Sequence, residues 1–391
     1  MKPAARIQAA IEVIGEIIGG DAPAERVLRR FFRARRYAGS KDRAAISELV
    51  YDVLRHRGRL DWHLDGAGSP RLFVAGFLLW INKIEPYSIF SDEKYAPSSL
   101  TTEEQAVLSC QQHGEPPDWA RLNLPAWLWP MLAGHGAANL AALNARAPLD
   151  LRVNSLKASR GEVIARLAAE GIEAHETPLA ATGLRLAAGA LVSASQSWRD
   201  GLVEVQDEGS QLAVARLDVR PGMTVLDYCA GAGGKSLALA AAMDNRGRIF
   251  AHDAAARRLA RLAPRLARAG ADIVQTGLPE GPVDLVLVDA PCSGSGTWRR
   301  NPNAAWRLTP ARLAELGRLQ AAVLDAAAEF VRPGGRLAYV TCSLLASEND
   351  DQVEGFLARH NDFRRRSAEL LTPWRHGVDG FFIALLDRPH R

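Results

Sequence analysis

Apolar residues recur at helical spacing at the start of the chain. Isoleucines stand at positions 7, 11, 14, 17 and 18, a pattern typical of a helix that buries one face. A second apolar series runs from Ala44 to Leu54 and predicts another helix that begins near Asp42. We therefore expect residues 1 to about 65 to be helical.

The pattern weakens over residues 66–147 and then changes to strand. Gly, Pro and Ser interrupt 66–70 and 97–99, and short helices are predicted around 101–112 and 125–143. Strand patterns at 149–154, 172–175 and 184–186 flank a helix predicted over 160–170. The sequence thus predicts a helical domain over 1–147 and a small α+β domain over 148–208.

From about residue 210 strands and helices alternate regularly. Apolar strand patterns occur at 224–228, 248–253, 273–274, 283–288 and 336–340, with helices predicted over 254–269 and 310–331. This alternation is typical of a mostly parallel sheet covered by helices on both faces. We expect a Rossmann-like α/β domain over 209–391 that carries the chemistry.

Composition excludes several classes of protein. Apolar residues make up 48% of the chain and charged residues 24%, as in folded soluble proteins. The four cysteines are too scattered for a disulfide scaffold or a Cys-x-x-Cys metal site. No signal peptide is predicted, and the longest apolar stretch, Leu72–Ile81, is too short to span a bilayer. We expect a cytoplasmic protein with reduced thiols, no metal and no membrane association.

The segment 26–43 is strongly basic. It contains eight Lys or Arg and one acid, with Phe31, Phe32 and Tyr37 interleaved. Two interpretations stay open, a solvated helix face or a surface that contacts RNA phosphates. The second would use Arg29, Arg30, Arg33, Arg36, Lys41 and Arg43.

A glycine-rich loop, Cys229–Ser236, follows a predicted strand and opens a helix. A phosphate-binding P-loop would need Gly where Cys229 stands, and a dinucleotide fingerprint would need Gly where Ser236 stands. Asp253 ends the next strand, 22 residues after Gly231, where an acid suits ribose hydroxyls. The adenosine of S-adenosylmethionine fits this pattern better than NAD, and a turn without ligand is the alternative.

Two cysteines end different strands of the predicted sheet. Cys292 follows the buried strand 283–288 within Asp289-Ala290-Pro291-Cys292, and Cys342 ends the fifth strand. A single cysteine of this kind can be a buried thiol in a tight turn. Two on the edge where parallel-sheet ligands bind favour covalent catalysis by a thiolate.

With these motifs the chain resembles the RsmB/NOP group of RNA cytosine-5 methyltransferases over most of its length. The motifs are Gly39–Arg43 and Leu49–Tyr51, Leu151–Lys157, Val205–Ser210, the glycine-rich loop, Asp289–Gly294, Arg299–Pro302 and Thr341–Ser343. The resemblance implies a NusB-like helical domain ahead of the α/β domain. It also implies methylation of a cytosine, with ribosomal RNA of the small subunit as the favoured substrate.

The resemblance further implies a role for each site residue. The nucleophile that adds to carbon 6 of the base would be Cys342, while Cys292 would assist product release. Asp289 would hydrogen-bond the base, and Lys235 would lie near the base or the methionine end of the cofactor. Contacts to S-adenosylmethionine are expected from Cys229, Ala230, Gly231, Ala232, Gly233, Gly234, Lys235, Asp253, Arg258 and Asp289. RNA contacts are also expected from Arg299 and Arg300.

Some features depart from the family pattern, and some alternatives stay open. Gly231 and Ala232 replace the usual Ala-Pro of the loop, and residues 273–277 lack the Asp that often contacts adenine. We expect a monomer. The alternatives are a transfer RNA methyltransferase, a small-molecule or protein methyltransferase on the same fold, and a non-catalytic RNA-binding assembly factor.

Overall fold

In a computed structural model, which describes residues 1–110, 114–187 and 190–390, the chain divides into two units. The first unit comprises Met1–Ala145 and Trp298–Thr309, and the second comprises Arg146–Thr297 and Pro310–Arg391. Residues 298–309 of the first unit follow the segment that carries Cys292 and precede the long helix Pro310–Ala328, both of which belong to the second unit.

The first unit is helical, as the isoleucine series predicted. Ile14 and Ile17 of the first helix are fully buried, and Ile46 and Val50 of the third helix belong to the same core. Its helices are α1 Pro3–Ile18, α2 Ala24–Ala34, α3 Ser40–Arg55, α4 Arg57–Leu64, α5 Pro70–Gly76, α6 Thr102–Ser109, α7 Asp118–Arg121, α8 Trp129–Leu132 and α9 Ala137–Leu140, and Asn303–Arg307 also lies in this unit.

The short helices predicted around 125–143 are present. Only α8 and α9 are α-helical there, with short 3-10 turns between and after them. Gly136 lies between the two helices and adopts φ +82°, a backbone conformation that an α-helix cannot contain. The predicted helix around 101–112 exists as α6, and its predicted end at residues 111–112 lies outside the described residues.

The second unit contains the small α+β sheet that was expected after residue 148. Its strands are β1 Leu149–Val153, β2 Ala174–Glu176, β3 Gly183–Leu186 and β4 Val203–Val205, with helices α10 Arg160–Ala169 and α11 Gln196–Arg199. The strand order is β2-β3-β1-β4, and each neighbouring pair is antiparallel.

The same unit contains the Rossmann-like sheet. Its strands are β5 Thr224–Asp227, β6 Arg248–Ala251, β7 Val274–Thr276, β8 Val283–Asp289, β9 Val331–Thr341, β10 Arg364–Leu371 and β11 Phe381–Asp387. The helices of this unit are α12 Glu208–Ala215, α13 Gly234–Ala242, α14 Ala256–Leu259, α15 Leu262–Ala269, α17 Pro310–Ala328, α18 Asp350–Arg359 and α19 Pro373–His376, and the segment Asn303–Arg307 of the first unit is α16. The strand order is β10-β11-β9-β8-β5-β6-β7.

The sheet is buried on both faces, which explains the unbroken apolar run of β8. Leu285 and Leu287 pack into one core, whereas Val286 and Val288 pack into another, because successive side chains of a strand point to opposite faces. Strand order reverses between β5 and β8, since the chain runs outward through β6 and β7 before it returns. Ligands of open α/β sheets bind at such a reversal, beyond the carboxyl ends of the strands.

Three local features differ from the sequence expectations. The strands β10 and β11 pair antiparallel at one edge of the sheet and were not predicted. The helix predicted over 254–269 is divided into α14 and α15, because Pro264 has no N–H to continue a helix and fits only in a first turn. The helix predicted to reach 331 ends at Ala328.

Within the described ranges, no helix has the length and apolar character needed to cross a membrane.

Candidate active site

Two neighbouring parallel strands bring the two predicted thiols together. Asp289, the last residue of β8, lies opposite Val340 of β9. The loops beyond both strands stay tied, because the Gly296 N–H donates to the Cys342 carbonyl at 3.0 Å. As a result the sulfurs of Cys292 and Cys342 lie 3.4 Å apart, within S–H···S contact.

The predicted base-binding carboxylate is paired with the predicted lysine. Lys235 Nζ lies 2.6 Å from Asp289 Oδ2, with Lys235 buried in the first turn of α13 and the Asp289 side chain 34% exposed. Burial lowers the pKa of Lys235, but Asp289 and Cys342 raise it by more, so the net pKa is raised. Lys235 is therefore a cation that lies close to both Asp289 and Cys342.

Cys292 is held as a thiol. Its hydrogen bond to Cys342 and its burial raise the pKa of Cys292 well above the ordinary range, and the nearby Glu348 adds to the rise. The N–H of Gly294 offsets part of this effect. A protonated Cys292 can donate a hydrogen bond, or a proton, to the sulfur of Cys342.

The glycine-rich loop lies beside Asp253. Gly231 and Gly233 have φ of +56° and +82°, and a Cβ at Gly233 would lie 2.1 Å from Leu262 Cδ1. The Gly231 N–H donates to Asp253 Oδ2 at 2.9 Å, and Arg258 Nη1 lies 3.3 Å from the same oxygen. A Cβ at Gly231 would occupy the space 3.9 Å from that oxygen, so the loop leaves room beside the carboxylate.

These residues fit the adenosine and methionine ends of S-adenosylmethionine. A carboxylate beside an open glycine backbone suits ribose hydroxyls, and a half-exposed Asp289 suits a polar group. The buried Asp227 Oδ1 at the end of β5 has no hydrogen-bond partner among the residues that the structure describes, while its other oxygen accepts from Ser236 at 2.7 Å. Burial, partly offset by Ser236, raises the pKa of Asp227 to about 7.

Three other residues of the glycine-rich loop, Cys229, Ala230 and Ala232, are buried or hydrogen-bonded within the protein. Burial raises the pKa of Cys229 to about 12, so this thiol is not an activated nucleophile. Ala230 is buried, and the carbonyl of Ala232 accepts from Arg265. Thr276, where the family often has Asp, is exposed.

Arg152 is a buried residue that contacts the glycine-rich loop, and the sequence alone did not assign Arg152 to the site. Its Nη1 donates to the Gly234 carbonyl at 2.9 Å and to Gln206 Oε1 at 2.8 Å, which joins β1 of the small sheet to the cofactor loop. Burial lowers the pKa of Arg152 to about 10, so it remains charged at neutral pH. Arg152 and Gln206 lie in two of the motifs that resemble the family. In the sequence, only this position in the motifs indicated that the two residues belong to the site.

The basic residues predicted to contact RNA fall into two groups. On α2, α3 and the segment between them, an open cavity of about 530 Å³ is lined by Arg29, Phe32, Arg33, Arg36 and Arg43. Arg29 pairs with Glu25 and Arg30 with Glu16, whereas Arg33, Arg36 and Lys41 are exposed and form no ion pair among the described residues. Arg299 is buried and Arg300 is half-buried, so their assignment to RNA stays a prediction.

No group of three or more His, Cys, Asp or Glu side chains in the described part of the chain is arranged to hold a metal ion.

Comparisons with known proteins agree with this arrangement. A family described as 16S rRNA methyltransferase RsmB/F matches residues 214–387, and a ferredoxin-like domain of the RsmF/B-like methyltransferases matches residues 125–193. The second match begins earlier than the α+β domain predicted from residue 148.

Individual relatives extend the similarity over most of the chain. The ribosomal RNA small subunit methyltransferase B of Xanthomonas campestris is 33% identical, over 88% of this chain and 89% of that protein. A probable ribosomal RNA small subunit methyltransferase B of Synechocystis sp. is 38% identical, but that match spans 63% of this chain and 62% of the relative. The crystal structure of PH0851 matches with a TM-score of 0.80 and 28% identity, over 99% of both chains. The chain therefore belongs to the RsmB/F family of 16S rRNA methyltransferases.

Proposed function

We propose that this protein methylates carbon 5 of a cytosine in small-subunit ribosomal RNA through a covalent bond between Cys342 and the base. Membership of the family makes the chain an rRNA methyltransferase that uses S-adenosylmethionine. The atom that is methylated and the role of each residue are the proposal. The contact between the sulfurs of Cys292 and Cys342 carries it, because methylation of nitrogen or oxygen needs no thiol nucleophile.

The chemistry explains why a thiol is needed. Carbon 5 of cytosine is a weak nucleophile, and addition of a thiolate at carbon 6 converts the ring to an enamine that can attack through carbon 5. Cys342, directly after β9, would form that bond. The bound cofactor supplies the methyl group as an electrophile.

Asp289 and Lys235 would act on the base. One oxygen of Asp289 is bound by Lys235, which leaves its other oxygen to accept from the cytosine amino group, or from the ring nitrogen once that nitrogen gains a proton as the thiolate adds. Hydrogen bonds of this kind favour the charge that develops as the thiolate adds. The cation of Lys235 keeps the carboxylate oriented for this contact.

Cys292 would assist the last step. In this step the proton on carbon 5 passes to solvent and its bonding electrons form the carbon 5–carbon 6 double bond. The carbon 6–sulfur bond breaks, and the Cys342 sulfur leaves as a thiolate. Cys292 lies 3.4 Å from that sulfur and is a thiol, so it can donate its hydrogen to the departing atom. This geometry supports a role in product release for Cys292.

The cytosine must leave its stack to reach a site at the edge of a sheet, so a looped or flipped base is the expected substrate. The exposed cations Arg33, Arg36 and Lys41 would contact phosphates elsewhere on the same RNA.

Bisulfite mapping tests the proposal. Small-subunit RNA from cells that lack the protein would be compared with RNA from the same cells carrying it. The proposal predicts a cytosine that resists bisulfite conversion only when the protein is present. A methyl group that appears in the rRNA on another atom would contradict it.

A further inference from the structure

Each thiol of the site is followed directly by a serine, and one carboxylate binds both serines. Ser343 Oγ donates to Glu348 Oε2 at 2.6 Å, and Ser293 Oγ donates to the same oxygen. The other oxygen of Glu348 accepts from the Ser293 N–H at 2.8 Å and from Gln320 Nε2 at 3.1 Å. Glu348 thus connects the loop that carries Cys292 with the loop that carries Cys342.

The carboxylate is buried without a cation. Glu348 is 0% exposed, and it forms no ion pair within the ranges 1–110, 114–187 and 190–390. A buried carboxylate of this kind is costly unless several donors satisfy it. Here four donors do so, and all of them lie on the two thiol loops or on Gln320, which also donates to the Pro291 carbonyl at 2.9 Å.

The turn that carries Glu348 is itself fixed to β9. Tyr339 OH donates to the Glu348 carbonyl at 2.7 Å. The next residue, Asn349, accepts from Thr341 Oγ1 at 2.6 Å and donates to the Ser343 carbonyl at 2.9 Å. The carboxylate is therefore held in place by the same strand end that positions Cys342.

We propose that Glu348 is a positioning residue for the methyl-transfer reaction, which sets the approach of Cys292 to Cys342 by binding Ser293 and Ser343. The inference rests on the proposed function, since it concerns the two thiols of that reaction. The charge of Glu348 has a second effect, because the carboxylate lies near Cys292 and favours the thiol form of Cys292. The other titratable groups around Cys292 are Tyr339 on β9 and Cys342 directly after it, with Asp289 and its partner Lys235 nearby.

The length and the charge of the side chain both matter. Aspartate would be one methylene shorter and could not reach both serines from the same turn. Glutamine keeps the size, but its amide nitrogen would replace an acceptor with a donor and would face hydroxyl or N–H donors. The Glu348→Gln variant therefore disturbs the two loops without leaving a cavity.

The experiment compares Glu348→Gln and Glu348→Ala with the wild type in methyl transfer to small-subunit rRNA. We expect kcat to fall about a hundred-fold in both variants, the usual effect of a displaced reacting group, with KM for S-adenosylmethionine unchanged. Asp351→Asn, a change of an exposed carboxylate in the first turn of α18, is the matched control and should keep wild-type kcat. If Glu348→Ala does not fold, the isosteric Gln variant carries the test.

Two further readouts separate positioning from a merely structural role. The Ser293→Ala/Ser343→Ala double variant should lose kcat to a similar extent, and adding Glu348→Gln to it should cost little more, because residues that act through one network are not additive. In a Cys342→Ala background, alkylation of the Cys292 peptide by iodoacetamide should shift to lower pH when Glu348 becomes Gln. A Glu348→Gln enzyme with wild-type kcat and an unshifted alkylation profile would overturn the inference while leaving the proposed function intact. A wild-type enzyme that forms no 5-methylcytosine would overturn the proposed function itself.

Discussion

The Nζ atom of Lys235 lies 2.6 Å from Oδ2 of Asp289, although the two residues stand 54 positions apart and belong to different strand–loop units. The pair occupies the two sides of the strand-order reversal, with Lys235 just beyond β5 and Asp289 at the end of β8. A cofactor bound on the loop and a base bound by Asp289 would therefore meet at this pair.

Replacing Lys235 with Met should lower methyl transfer about a hundred-fold. The change leaves Asp289 without its cation, so the carboxylate loses its orientation and its neighbouring positive charge. Methyl transfer to small-subunit rRNA at saturating cofactor measures the effect. Lys94→Met, on an exposed lysine, is the control and should be neutral. Wild-type turnover by the Lys235 variant would argue that the pair is only structural.

The Asp253→Asn variant should bind S-adenosylmethionine at least about tenfold more weakly. A hydrogen bond to a charged group contributes roughly 1.5–3 kcal/mol, and the variant removes the charge while it keeps the shape. Isothermal titration calorimetry measures the Kd directly, with the exposed Glu280→Gln as control. An unchanged Kd would place the ribose elsewhere.

Asp227 should make stability depend on pH. Its folded pKa of about 7 lies above its ordinary value of 3.8, so the folded state binds more protons than the unfolded state between these values. The contribution of Asp227 to the free energy of unfolding is therefore present at low pH and is lost as pH rises towards 7. The loss is at most about 1.4 kcal/mol per pH unit. Urea unfolding of the cofactor-free protein at pH 5 and pH 8 should show a smaller pH dependence in Asp227→Asn. Identical pH dependence in both proteins would refute the assignment.

The basic surface on α2 and α3 should contribute to RNA affinity through charge. Changing Arg33, Arg36 and Lys41 to Ala together should weaken binding and reduce the slope of log K against log salt by about 0.7–0.9 for each phosphate that is no longer neutralised. Filter binding of rRNA across a salt series measures the slope. Arg312→Ala, which removes an arginine paired with Glu315 on α17, should leave it unchanged. An unaltered slope in the triple variant would favour the solvated-face interpretation of this segment.

The parts of the fold that the sequence could predict are those set by local patterns. Apolar runs in the sequence mark parts of the five strands β5–β9, and this pattern alone places both cysteines just beyond strand ends. Strands β10 and β11 were missed because an antiparallel edge pair, joined only through the four-residue helix α19, breaks the alternation that identified the others.

The contacts that complete the site are not local, and no pattern along the chain reveals them. Arg152 reaches the Gly234 carbonyl across 82 positions, and Glu348 reaches Ser293 across 55. The serine after each cysteine was visible in the sequence, but the carboxylate that binds both serines depends on the turn Ala346–Glu348. Packing of β8 against β9 creates this relationship.

The two thiols provide the most direct test of the account. Denaturing gels and mass spectrometry would follow rRNA and protein after reaction with S-adenosylmethionine. We predict that Cys292→Ala accumulates a covalent protein–RNA adduct through the Cys342 peptide, and that Cys342→Ala forms neither adduct nor methylated RNA. An adduct on another residue, or full methylation by Cys342→Ala, would contradict the assignment of Cys342 as the nucleophile.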